Sequence, residues 1–321
     1  MKNINNNDSD IGWNFDNSFS ELPDILMQFT NPTPVNNPNL ELFNSELAND
    51  LNLRFNLSDK EYLSSLFSGN IIPNGSKCLA QAYSGHQFGY FTNLGDGRAI
   101  LLGEHINNKN KRFDIQLKGS GKTNYSRNGD GRASLGSMCR EYLISEAMYK
   151  LRIPTTRSLS VVSSGEEIIR EKKLKSAILT RVASSHIRIG TFQYCSMLNN
   201  IDTLKKLVNY TLKRHYFDSS KDKNPAITLL KGLIIKQISL VVNWMRVGFV
   251  HGVLNTDNVA LSGETIDYGP CAFMDYYDPN TFFSSIDIQG RYSFSNQEII
   301  CHWNLSRFAE TLIPLLDKDQ N

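Results

Sequence analysis

Cysteine is scarce and unpatterned in this chain. Five in 321 residues (Cys78, Cys139, Cys195, Cys271, Cys301) include no Cys-x-x-Cys pair. That excludes a disulfide framework and a thiolate zinc site, and reduced thiols fit a cytosolic compartment. The six histidines are dispersed, so a metal, if one matters, is held by oxygen ligands. Surplus charge is missing too. Lys and Arg number 34 against 32 Asp and Glu, a net charge of +2, and a nucleic-acid binder usually shows a concentrated basic face. No uninterrupted run approaches the ~18 apolar residues of a membrane span. The N-terminus, MKNINNNDSD, has neither the apolar core of a secretory signal nor the Arg-rich profile of a transit peptide. The expectation is a cytoplasmic protein with no nucleic-acid partner and no membrane partner.

What is present suits a folded chain of one large domain or two lobes, with 40% hydrophobic and 21% charged residues. Residues 1–12 are polar and Asn-rich and are expected to be disordered. Residues 13–75, with Pro32, Pro34, Pro38 and Pro73 among short apolar runs, read as an extended arm wrapping a core. Strand-like segments follow at 98–105, 112–118, 158–164, 167–171 and 176–182, short, β-branched and bounded by Gly, Asn or Ser. One helix, 138–151, interrupts them before Pro154. Helical patterns at 202–217 and 228–248 dominate the remainder. This order predicts an α+β, protein-kinase-like two-lobed fold: an arm and strand-rich nucleotide-binding lobe over 13–183, then a helical lobe over 184–321.

The richest stretch is HGVLNTDNVALSGETIDYG, His251 to Gly269. Kinase-like phosphotransferases place a metal-binding Asn and a metal-binding Asp in this order, the Asp often followed by an aromatic residue and Gly. Asn258 and Asp267 hold those places, and Mg²⁺ takes one or two such hard oxygen ligands from protein. Either alone would be an ordinary turn or cap residue; together, on short strands flanking a Ser262-Gly263 turn, they read as a metal pair. The carboxylate that such kinases carry two residues after the His is replaced by Val253. Asp257 is the nearest carboxylate able to serve as general base, and an Asx-turn residue is its plainer reading.

Lys118 ends the strand FDIQLK. Alternation puts Phe113, Ile115 and Leu117 on one face and Asp114, Gln116 and Lys118 on the other. Glu141 and Glu146 on the following helix can each orient that lysine, as in the kinase lysine–glutamate pair. The segments LGDGR, KGSGKT and NGDGRAS are rich in Gly, which lets backbone N–H groups approach phosphate. KGSGKT lacks the spacing of a P-loop, which excludes that class. Arg181 and Arg188 bracket RVASSHIR and suit bidentate phosphate contacts or surface salt bridges.

The segments AQAYSGHQFG, LGDGRAILLGE, QLKGSGKTNYSRNGDGRASLGSMCREYLISEAM, IPTTRSLS, RVASSHIRIGTF and HGVLNTDN…TIDYGPCAFMDYYDP resemble the selenoprotein O (YdiU) family from about Phe15 onward. The resemblance implies a protein-kinase-like fold that binds ATP inverted and transfers AMP to Ser, Thr or Tyr hydroxyls of proteins. Uridylylation from UTP with Mn²⁺ is also implied for bacterial members. Carried over by motif, Gly95, Gly97 and Arg98 belong to the nucleotide-binding loop, and Lys118 touches phosphate with Glu141 as its partner. Asp130, Gly131, Arg181 and Arg188 contact the nucleotide. Asp257 is the proton acceptor, and Asn258 and Asp267 hold Mg²⁺ or Mn²⁺, with Asp267 also serving the nucleotide. Two departures stand out. Family members continue through further helices to a redox-sensitive cysteine pair or selenocysteine, so the expectation is a C-terminally shortened member without that switch. Gly136 replaces a large basic residue. Competing readings are a non-catalytic ATP-binding pseudokinase or decayed fragment and, less favoured, a phosphotransferase kinase.

Overall fold

The structure, a computed structural model, describes residues 11–216 and 224–316. It divides into two compact units, one of Met1–Gln81, Asp96–Glu146 and Arg157–Ser184, the other of Ala82–Gly95, Ala147–Thr156 and Ser185–Asn321. From Ser185 onward the chain belongs to the second unit, and the elements there are mainly helices. Two segments assigned by sequence to the strand-rich lobe, 82–95 and 147–156, instead cluster with the helices. Local pattern gives an element's type and not what it packs on.

Strands in chain order are β1 (Met27–Phe29), β2 (Asn39–Phe43), β3 (Leu79–Gln81), β4 (Ser84–Gln87), β5 (Tyr90–Asn93) and β6 (Ala99–Ile106). Then come β7 (Arg112–Lys118), β8 (Ala133–Ser134), β9 (Arg157–Ile169), β10 (Lys173–Ala183), β11 (Phe249–Val250) and β12 (Ala272–Phe273). The helices are α1 (Ser45–Asp50), α2 (Lys60–Ser68), α3 (Leu135–Lys150), α4 (Ile189–Met197), α5 (Ile201–His215), α6 (Pro225–Arg246) and α7 (Gln297–Leu312).

The first unit is built on one sheet of order β1-β3-β6-β7-β10-β9-β2, with β8 beside β10. On one face Ile100, Leu102, Ile115, Leu117, Val162, Ile178 and Val182 pack with Leu47, Leu63, Leu66 and Phe67 of α1 and α2. The stretch expected to be an extended arm therefore supplies both outer strands and two short helices. Their start signals are local: Asn44 and Asp59 cap α1 and α2 by accepting from Leu47 N and Tyr62 N. Ile11, inside the stretch expected to be disordered, is buried in this core; residues 1–10 lie outside the described residues. The two strands expected at 158–164 and 167–171 are one strand, β9. Gly165, at φ +74°, takes up a register shift against β10, and a bulge of this kind bends a strand without ending it.

The second unit holds α4 to α7, the β4–β5 hairpin and the β11–β12 pair. Helix α6 starts at Pro225, capped by Asn224, and buries Leu229, Leu233, Leu240 and Trp244. Averaged over an 18-residue window its hydropathy reaches 1.6, long and apolar enough to cross a membrane by length and composition. The sequence reading found no such segment because Lys231, Lys236 and Gln237 break the uninterrupted run.

Candidate active site

In the first unit a buried polar cluster stands on the sheet face opposite the α1–α2 core. Lys118, at the end of β7, puts Nζ 2.7 Å from Glu141 Oε2 on α3. Arg181, on the neighbouring strand β10, donates to the other oxygen of the same carboxylate from Nε at 2.9 Å. Its Nη1 donates to Gln116 Oε1 at 3.3 Å, and Gln116 Nε2 donates to Asp96 Oδ2 at 3.2 Å. Lys118, Glu141 and Arg181 are all at least nine-tenths buried. A strand lysine fixed by a helix glutamate is how protein kinases present a cation to phosphate. Glu146, the other candidate partner, binds Arg157 through both oxygens, at 2.8 and 2.7 Å.

The glycine-rich segments of this unit pack on each other. A Cβ on Gly97 would sit 2.7 Å from the Tyr125 carbonyl, and one on Gly131 would sit 2.1 Å from the Gly121 carbonyl carbon. Arg98 is exposed, while its carbonyl accepts from Gly119 N at 2.6 Å. Asp130 is gripped by Arg170 at 2.8 and 2.9 Å and accepts from Arg132 N at 2.9 Å. The Arg170 hydrogen bonds hold its carboxyl down at about 2. Gly136 is exposed, and a Cβ placed on it would meet nothing within 4 Å.

In the second unit Asn258 and Asp257 lie on a 3-10 turn, Thr256–Asn258, and Asp267 on a loop at φ +64°. Neither Asn258 nor Asp267 is on a strand, contrary to the sequence reading; the hydrogen bonds here are those of turns. A non-glycine residue persists in the left-handed region when its surroundings over-determine it. Here Arg188 Nη1 donates to Asp267 Oδ2 at 2.6 Å and to the Asp257 carbonyl at 2.8 Å. The Arg188 guanidinium lies 4.7 Å over the Tyr83 ring. Asn258 Nδ2 donates to the Val253 carbonyl at 2.8 Å, which leaves the amide oxygen as the end able to bind a cation. His251 is fully buried against Trp244, its Nε2 2.9 Å from the Ile266 carbonyl. Burial lowers its pKa, so it acts as a neutral brace between the two loops.

Asp257 is 5% exposed. Its Oδ2 accepts a long hydrogen bond, 3.4 Å, from Gln87 Nε2, and its Oδ1 is buried without a hydrogen-bond partner among the described residues. Burial pushes the carboxyl up to about 6, against the opposing pull of Arg188. An orphaned carboxylate oxygen of raised basicity is the expected state of a proton acceptor awaiting its substrate.

Of the residues singled out by sequence, Lys118, Glu141 and Arg181 meet in one cluster, and Arg188, Asp257 and Asp267 in another. Asn258 sits beside Asp257. Arg181 and Arg188, expected on the nucleotide, each grip a carboxylate. Sequence reasoning gave no role to Gln116, Asp96, Gln87 or Tyr83. Only the AQAYSGHQFG segment, already prominent in the resemblance, could have drawn attention to the last two. Among the described residues no group of three or more His, Cys, Asp or Glu side chains could hold a metal. The Asn258 and Asp267 pair, one amide oxygen and one carboxylate, fits Mg²⁺ or Mn²⁺, which take few ligands from protein and the rest from phosphate and water.

A lysine locked to a helix glutamate, and an Asn and an Asp beside a buried carboxylate, are the parts with which kinase-type transferases handle nucleotides. The chain belongs to the family described as protein adenylyltransferase SelO, whose model matches residues 11–320. It is 58% identical to the protein nucleotidyltransferase YdiU of Pelagibacter ubique, over 97% of this chain and 64% of that protein. It is 58% identical to YdiU of Brevibacillus brevis and 59% to that of Clostridium beijerinckii, in each case over 96% of this chain and 63% of the relative. The chain thus spans a little under two thirds of the length of these relatives. Among solved structures, ROP2 from Toxoplasma gondii, a virulence factor with a protein-kinase fold and no enzymatic activity, aligns at TM-score 0.35 and 10% identity. That alignment covers 71% of this chain and 67% of ROP2, a likeness too slight to carry an argument.

Proposed function

We propose that the chain is a protein nucleotidyltransferase that moves AMP from ATP to Ser, Thr or Tyr hydroxyls of proteins. The observation that carries this reading is the Asp257 carboxylate, buried, raised in pKa and with Oδ1 lacking a hydrogen-bond partner among the described residues. It stands four residues beyond Val253, the position where a kinase loop of this type keeps its base. A group with pKa near the working pH takes a hydroxyl proton most effectively. Asp257 is therefore assigned as the proton acceptor for the attacking hydroxyl.

Asn258 and Asp267 would hold Mg²⁺ or Mn²⁺, and a bound divalent ion supplies Lewis-acid stabilisation of phosphate charge. Lys118 offers a buried cation for phosphate oxygens, held in place by Glu141. Arg181 shares that glutamate and Arg188 holds Asp267, so the arginines act chiefly by fixing carboxylates. The family membership and the names of the YdiU relatives support the nucleotidyl reading over phosphoryl transfer. A cytoplasmic location is part of the proposal and rests on the reduced cysteines, all five of which are free.

The deciding experiment labels the purified chain with ATP carrying its tag at the α- or the γ-phosphate. Label from the α-position, with an intact-mass gain of one AMP unit, is expected. Label only from the γ-position would make the protein a kinase. No label from either, in a chain that Mg-ATP stabilises thermally, would make it a non-catalytic nucleotide binder.

A further inference from the structure

The β4–β5 hairpin has no part in the functional reading above, yet three successive residues of it grip three successive residues of the Asp257 turn. Its two-residue link, Phe88-Gly89, has φ +52° and +89°, the positive values that match the twist of flanking strands. The His86 backbone N–H donates to Thr256 Oγ1 at 2.7 Å. Gln87 Nε2 reaches Asp257 Oδ2 at 3.4 Å, and Phe88 N–H donates to Asn255 Oδ1 at 3.2 Å. Tyr292 closes the ring, its hydroxyl donating to Asn255 Oδ1 and accepting from Phe88 N–H at 3.1 Å.

Gly85 presses on the carboxylate itself. A Cβ there would lie 2.4 Å from Asp257 Oδ1 and 2.8 Å from Cγ, so only a bare Cα leaves that oxygen where it is. Behind the hairpin Gly190, in the first turn of α4, permits an equally close approach; a Cβ on it would sit 2.1 Å from the Ser84 carbonyl. His86 is anchored from the side, its Nδ1 accepting from Gln193 Nε2 at 2.8 Å. Helix α4 thus backs the strand at both Ser84 and His86.

We propose that the hairpin Ser84–Asn93 is the positioning element for the Asp257 carboxylate, with Gly85 setting where Oδ1 lies and Gln87 holding Oδ2. The proposal rests on the reading of Asp257 as proton acceptor. Gly85 and Gln87 are positioning residues: they act through Asp257 and leave nucleotide affinity alone. A misplacement near 1 Å at a reacting group costs on the order of 100-fold in rate, whereas binding depends on other groups.

The test compares Gly85→Ala, Gln87→Met and Asp257→Asn with the unaltered chain in the α-label transfer assay, with Mg-ATP affinity by calorimetry and thermal midpoints alongside. Gln87→Met keeps about the same length and removes the amide that reaches Asp257 Oδ2, so it carries the test should Gly85→Ala fail to fold. The expected result is a fall in kcat of roughly 10- to 100-fold for Gly85→Ala and Gln87→Met, with KM and Kd for ATP within about twofold. Full kcat in both folded variants, with Asp257→Asn inactive, overturns the clamp and leaves the proton acceptor standing. A parallel loss of ATP affinity overturns it too, since the hairpin would then belong to the nucleotide site. Activity surviving in Asp257→Asn overturns both readings together.

Discussion

One nitrogen of Arg188 serves two loops: Nη1 lies 2.6 Å from Asp267 Oδ2 and 2.8 Å from the Asp257 carbonyl oxygen. The carboxylate assigned to the metal and the backbone of the residue assigned to the proton are thereby fixed to the same planar group. A guanidinium can do this because its N–H directions are set by its plane, whereas an ammonium on a flexible stem is a point charge. Arg188 is 3% exposed and occupies the position just before α4, so its own backbone is fixed as well.

The metal assignment predicts that Asp267→Ala weakens Mg-ATP binding much more than binding of ATP without metal. Removing the carboxylate leaves phosphate charge less well compensated through the ion. Arg188→Lys should weaken it on the order of 10-fold, as loss of a group that orients a metal ligand does. Calorimetric titration with and without Mg²⁺ reads both. Equal Mg-ATP affinity in Asp267→Ala and the unaltered chain would sink the assignment.

In the first unit Glu141 neutralises two buried cations at once, Lys118 and Arg181. Its removal should therefore do more harm than loss of either partner. Glu141→Ala is expected to destabilise the fold by about 3–5 kcal/mol, the usual cost of leaving a buried charge uncompensated. Lys118→Met, which removes one cation and keeps the stem, should cost clearly less and instead weaken ATP binding. Urea denaturation of the two variants gives the comparison, and an equal loss in both would contradict the shared-carboxylate account.

Much of this is legible in the sequence. The strands at 98–105, 112–118 and 176–182 and the helix at 138–151 follow from period and punctuation, and each is found within a few residues of its expected span. Lys118 pointed away from Ile115 and Leu117 by alternation alone. What could not be read was long-range. Nothing local says that the stretch 13–75 supplies both sheet edges, since strands as short as β1 and β2 declare themselves only through their partners. Nothing in Arg181 or Arg188 distinguishes an arginine that binds phosphate from one that binds a buried glutamate or aspartate. The Gln87 contact to Asp257 joins residues 170 apart in the chain, and no spacing rule reaches that far.

A pH prediction follows from Asp130, whose carboxyl is held at about 2 by its hydrogen bonds to Arg170. The unfolded value is near 3.9, so the folded value is depressed. The stabilisation is then fully present above about pH 4 and is lost as pH falls towards 2. Both partners are about two-fifths exposed, 43% and 41%. Solvent screening therefore limits the contribution to the surface-pair range, about 0.2–1 kcal/mol. Asp130→Asn should be slightly less stable than the unaltered chain at pH 7 and indistinguishable from it near pH 2. A gap between the two melting curves that persisted at pH 2 would show that Asp130 acts by something other than its charge.

The last prediction concerns Asp257, whose substitution separates chemistry from binding. The residue is 5% exposed and sits on a turn held by hydrogen bonds from Gln87, His86 and Arg188 to residues Thr256 and Asp257. Of these, the Arg188 bond goes to the Asp257 backbone carbonyl and the His86 bond to Thr256. Both survive truncation of the Asp257 side chain, so Asp257→Ala should keep the turn, keep Arg188 on Asp267, and bind Mg-ATP with nearly unchanged affinity. Transfer should fall on the order of 100-fold or more, the range of a lost general base. Removing a carboxylate whose pKa is raised by burial also removes a desolvation cost, so the thermal midpoint should hold steady or rise. Single-turnover transfer from α-labelled ATP, read beside calorimetry on the same preparation, makes the comparison. Unchanged turnover in Asp257→Ala would make Asp257 a turn residue and send the search for the proton acceptor elsewhere.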